Sequence, residues 1–75
     1  MSSLIQIEDE VISVQPHPEQ DGRWVIVVHH LNDLGEGTPT EYYSFSTYKE
    51  AEENFKDTVL DRIVDDIKSL LEEDN

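Results

Sequence analysis

The apolar positions of this chain change period part-way along it. In residues 4–15, Ile5 and Ile7 alternate with polar neighbours, and the β-branched set Val11, Ile12 and Val14 resumes after the acidic triplet Glu8-Asp9-Glu10. Alternation with period two is the pattern of a strand with two unlike faces. The pattern predicts one strand over 4–15, bulged or turned at the triplet and ended by Pro16 and Pro18, which lack the N–H a ladder needs. Residues 23–31 carry Trp24, Ile26 and Val28 on one face and Val25, Val27 and Leu31 on the other. A strand apolar on both faces is expected to be central, with something packed against each side. Residues 40–45 place Tyr43 and Phe45 on one face, Tyr42 and Ser44 on the other. Asp21-Gly22 marks a turn, and Gly35 and Gly37 mark residues 32–39 as a flexible connection.

From Thr47 the period becomes helical. Tyr48, Ala51, Phe55, Val59, Ile63, Ile67 and Leu70 follow at steps of 3, 4, 4, 4, 4 and 3, with no Gly or Pro among them. Thr47 and Glu50 have the spacing of a capping box, in which the hydroxyl and the carboxylate each take an unpaired N–H of the first turn. A helix of about 25 residues would be roughly 37 Å long, enough to cover three strands and overhang them. The expected fold is α+β: a three-stranded antiparallel meander followed by one long C-terminal helix packed on one face (βββα), with residues 1–75 as a single domain.

Two apolar surfaces exceed what one helix on one sheet face can bury. One is the second face of the central strand, where Trp24 is a candidate anchor. The other is on the helix. Val59, Ile63 and Leu70 form one seam, and Leu60, Val64, Ile67 and Leu71 form a second at steps of 4, 3 and 4, the a/d spacing of a short coiled coil. These seven residues span about 140° of an ideal helical wheel, more than the ~100° stripe a single core needs. Self-association through Trp24, Leu60, Val64, Ile67 and Leu71 is therefore expected, as a homodimer.

Charge changes the picture of the partners. Eighteen Asp and Glu against five Lys and Arg give a net charge of −13. Binding to nucleic acid needs clustered bases that neutralise phosphates, so it is excluded, and so is docking on anionic lipid. No apolar run approaches the ~20 residues of a membrane span, and no signal-peptide pattern is read at the start. With no cysteine there is neither a disulfide framework nor thiolate chemistry, and a cytoplasmic protein is expected. The excess is not a detachable tail. Residues 1–46 hold eight acids and one base, and residues 47–75 hold ten acids and four bases.

Part of that charge is ordered. Glu50, Glu53, Asp57, Asp61 and Asp65 follow at steps of 3, 4, 4 and 4 along one side of the helix. Like charges at this spacing cost a few tenths of a kcal/mol per pair. Glu72, Glu73 and Asp74 oppose the helix dipole. A row not arranged for helix stability suggests recognition of a basic protein. Carboxylates one turn apart, about 5–6 Å, also approximate the phosphate spacing of a nucleic-acid strand, so an inhibitor that mimics nucleic acid is the alternative. The plainest reading is a solubilising face on an assembly domain.

Catalytic and metal motifs fall away. His29 and His30 are adjacent on a strand and point to opposite faces, and His17 is in the proline loop. Gly35-Glu36-Gly37 is too short for a phosphate cradle, and the acidic triplet lacks the ordered spacing of a calcium loop. No cofactor, metal or catalytic residue is expected. A meander followed by a helix is too common to carry a function by analogy.

Overall fold

In the computed structural model, which describes residues 3–73 and leaves Asp74 outside, the first apolar block folds as two strands rather than one. Strands β1 (Leu4–Ile7) and β2 (Glu10–Pro16) pair antiparallel with Ile7 opposite Glu10, so Glu8 and Asp9 form a two-residue hairpin loop. Glu8 takes a φ of 55°. A tight hairpin turn needs positive φ at its first loop position, where Gly or Asn is usual. A carboxylic side chain there costs on the order of 1 kcal/mol, and no ordinary turn residue marks the site. The Gln6 amide donates to the Glu8 carbonyl at 3.0 Å, and the Leu31 N–H donates to the Asp9 carbonyl at 2.6 Å, so the loop is tied at both ends.

Strands β3 (Trp24–Leu31) and β4 (Gly37–Phe45) complete a four-stranded antiparallel meander in the order β1-β2-β3-β4. The expected meander is present with one strand more than expected. Strand β4 also starts at Gly37, inside the segment expected to be a flexible connection. Asn32 closes that connection instead: its side-chain oxygen accepts the N–H groups of Leu34 and Glu36, both at 2.9 Å, and Gly35 supplies a φ of 81°. Pro39 lies inside β4, which its position on an edge strand permits. Val28 pairs with Glu41 and His29 with Pro39, so Thr40 is the extra residue of a bulge.

Helix α1 (Tyr48–Glu73) has 26 residues, about 39 Å at 1.5 Å per residue. The Thr47 hydroxyl caps it by accepting the Glu50 N–H at 3.2 Å. The helix lies on the sheet face formed by Ile12, Val14, Ile26 and Val28, with Ala51 buried against them. Partly buried Ile5, Ile7, Trp24, Phe45, Tyr48, Phe55 and Val59 surround this core. Trp24 meets Tyr48 edge to face, with ring centroids 4.8 Å apart.

The opposite sheet face corrects an expectation. Among the described residues no second layer packs on it, yet Val25 and Val27 are only 1% and 7% exposed. Their own neighbours cover them. Gln15 lies opposite Val25, and Ser13 and Tyr42 flank Val27. The Gln15 amide donates to the Ser13 hydroxyl at 3.0 Å, and the His17 ring packs edge-on to Tyr42 at 6.3 Å. The central strand is shielded on that side by its neighbours' polar and aromatic side chains rather than by another layer. Trp24 is not on that side at all.

Candidate functional site

The first three turns of α1 and the last three meet different surroundings. Ala51, Phe55 and Val59 pack on the sheet, and Arg62 reaches Glu10 on β2 and Glu41 on β4. Beyond Arg62 the helix leaves the sheet. Exposure climbs along the large apolar residues from Ile63 at 39% through Val64 at 45%, Ile67 at 52% and Leu70 at 60% to Leu71 at 64%. Leu60, on the outer side of the helix, is exposed as well. Taken at 100° per residue, the seam Leu60–Val64–Ile67–Leu71 is centred about 150° round the helix from the core-facing Ala51, Phe55, Val59 and Arg62. It is therefore a separate face, not the margin of the buried one.

The two flanks of the helix are chemically unlike. On the β1 flank, Ile5, Phe55, Val59 and Leu60 line an apolar groove of about 350 Å³, with Lys56 at its rim. Ile63 and Leu70 continue this apolar side into the overhang. On the β4 flank, Glu41, Tyr43, Thr58, Asp61, Arg62 and Asp65 line a polar cleft of about 250 Å³. Glu50, Glu53, Asp57, Asp61 and Asp65 are all exposed, and among the described residues none of them takes part in an ion pair. Lys56 pairs with Glu52 at 3.7 Å, off the acidic row.

The cleft contains one ordered network. The Tyr43 hydroxyl donates to Glu41 Oε1 at 2.6 Å, Arg62 donates to the other carboxylate oxygen, and Arg62 is 3.8 Å from Glu10. The Tyr43 hydrogen bond, aided by the Arg62 charge, holds the Glu41 carboxyl below its usual range even though burial acts the other way. The same bond raises the Tyr43 phenol. Partial burial would lower the Arg62 guanidinium, but Glu10 and Glu41 outweigh it and raise it. With each partner committed to the others, the network works as a tie between helix and sheet.

No protein-family profile matches the chain, and no curated protein or solved structure does either.

The expected site residues therefore fall into three places. Leu60, Val64, Ile67 and Leu71 share the exposed seam. The five acids share the adjoining row, with Asp61 and Asp65 reaching the polar cleft. Trp24 stands apart, half-buried between sheet and helix. The pattern reading missed the groove and the Arg62 network. A signal for the second existed: Arg62 is seven residues after Phe55 and eleven after Ala51, a cation on the core side of the helix. Among the described residues no group of His, Asp and Glu could hold a metal ion, and no helix is long and apolar enough to cross a membrane.

Proposed function

We propose that this protein is a non-catalytic binding module that works as a homodimer and presents the carboxylate row of α1 to a basic protein surface. The observation that carries the reading is the overhang: apolar along one face and acidic along the next, on a helix whose root is fixed to the sheet. A helix end of this length is marginal in water without tertiary packing. It has no basic residue in its last turn to complement the dipole. Burial of the seam in an assembly supplies what the sheet does not. Most of the row then stays in solvent, where unpaired carboxylates add attraction and orientation toward Lys and Arg. A cytoplasmic setting belongs to the same proposal.

A second reading uses the same row. Five exposed carboxylates, most of them one turn apart, suit a groove built for nucleic-acid phosphates, and a protein of that kind acts as a competitor of DNA or RNA. Capture on immobilised protein at low and high salt tests both readings, with Glu53→Lys/Asp57→Lys run in parallel. Both readings expect a partner held at low salt, released at high salt, and lost on charge reversal. Displacement of that partner by DNA or RNA singles out the competitor. Equal capture by the native and reversed chains removes the row from function and leaves it as a solubilising surface.

A further inference from the structure

The exposed seam is self-complementary when its direction is reversed. Its steps of 4, 3 and 4 read the same from either end. We infer that a second copy occupies it as an antiparallel helix pair, with the two-fold axis beside the midpoint of residues 65 and 66. In that register Leu60 of each copy meets Leu71 of the other, and Val64 meets Ile67. The pairing of flanking positions follows from the same axis. Ile63 faces Leu70 of the second copy on one side, and Asp61 faces Lys68 on the other. All four apolar residues of the seam, and Ile63 and Leu70, are exposed in the single chain. Lys68 is exposed too, and among the described residues it takes part in no ion pair.

Two further features select the antiparallel register over the parallel one. A parallel pair would set Lys68 against Ile63 of the second copy instead of against Asp61. A parallel pair would also hold two domains of charge −13 side by side, whereas the antiparallel pair sends the sheets to opposite ends. The antiparallel register also closes the groove on the β1 flank. Leu70 of the second copy falls between Val59 and Ile63, and Leu71 falls beside Leu60, at the end of the groove that Val59 and Leu60 line. The overlap of residues 60–71 is about 18 Å long, so the groove contact supplements a short coiled coil.

This inference rests on the homodimer of the preceding section, and its test separates the two. Sedimentation of the intact chain reads the assembly, and it should strengthen as salt screens the like net charges. Capture of a basic partner has the opposite salt dependence. Asp61→Lys and Lys68→Asp should each weaken the dimer about tenfold, since each makes two like-charge contacts across the axis, and the double exchange should restore it. The chain has no cysteine, so single cysteines report the register directly. Leu60→Cys mixed with Leu71→Cys should form the mixed disulfide under mild oxidation, with little of either symmetric one. Symmetric disulfides at both positions, or no rescue by the charge exchange, overturn the antiparallel register and leave the dimer standing. A monomer at hundreds of micromolar in high salt overturns both.

Discussion

From Tyr48 to Val59, α1 rests on four strands with three large apolar side chains, Tyr48, Phe55 and Val59; from Leu60 onward it carries six, all of them exposed. The first half has one apolar position per turn, all packed with the sheet core, and Ala51 is a small residue buried in one cluster with Ile12, Val14, Ile26 and Val28. The second half has roughly two per turn, on two faces. Stripe width therefore distinguishes a helix that serves one core from a helix that serves a core and something else. The same comparison separates the two flanks: the apolar one adjoins β1, and the acidic one adjoins β4 and is tied down by Arg62.

The largest expected effect breaks the packed half. Ala51→Asp buries a carboxylate with no partner and should destabilise the fold by about 3–5 kcal/mol, much of the stability of so small a domain. Circular dichroism should show loss of the cooperative melt. The equivalent change in the overhang, Leu60→Asp, should alter the stability of the isolated chain by less than about 0.5 kcal/mol. Next, Leu60→Lys with Val64→Lys should weaken self-association by two orders of magnitude or more, since like charges replace burial on both copies, while the far-ultraviolet spectrum of the sheet persists. Sedimentation as an unchanged dimer would exclude the seam as the interface.

A smaller effect concerns the tie between the halves. Arg62→Met should cost about 1 kcal/mol near neutral pH, the scale of a partly exposed ion pair, read by urea unfolding in the Leu60→Lys/Val64→Lys background. The Glu41 carboxyl is held below its ordinary value of 4.5, so its contribution is complete above that value and is lost as pH falls through the lowered one. The gap between native and Arg62→Met chains should therefore narrow in acid. A gap that stays constant to low pH would show that Arg62 acts by packing and not by charge. The smallest effect is on the row. Glu53→Lys with Asp57→Lys removes like-charge neighbours and should raise stability by a few tenths of a kcal/mol, seen as a slightly higher Tm, even as it abolishes capture of a basic partner. Lower stability would mean that these acids have partners within the fold.

The helix, its cap at Thr47 and the strand faces were legible because period and composition agree there. The turn at the acidic triplet was legible as well, but not the two-residue hairpin that splits the segment into β1 and β2, because the residue with positive φ is a glutamate and propensity argues against it. Strand β4 was read too short because Gly37 and Pro39 argue against a strand, while an edge position with a bulge accepts both. Val25 and Val27 read as a second buried face because periodicity registers burial but not what provides it. The seam and the acidic row could be placed from spacing alone, since both are properties of one helix. The groove and the Arg62 network join residues distant in sequence, Ile5 with Val59 and Glu41 with Arg62, and only the chain's return over the sheet brings them together.

Arg62 also sets an angle. A helix seated on β-branched side chains can roll about its own axis at modest cost, and a roll of ~100° exchanges each outward position for its neighbour in sequence. A planar guanidinium gripped from two strands, at Glu10 and at Glu41, opposes that torque from both sides. The azimuth of the free end is thereby fixed some way below it, as a rudder post fixes its blade. Every molecule offers Leu60 and Asp61 in the same compass direction, so two copies meet already in phase and lose less orientational freedom on joining.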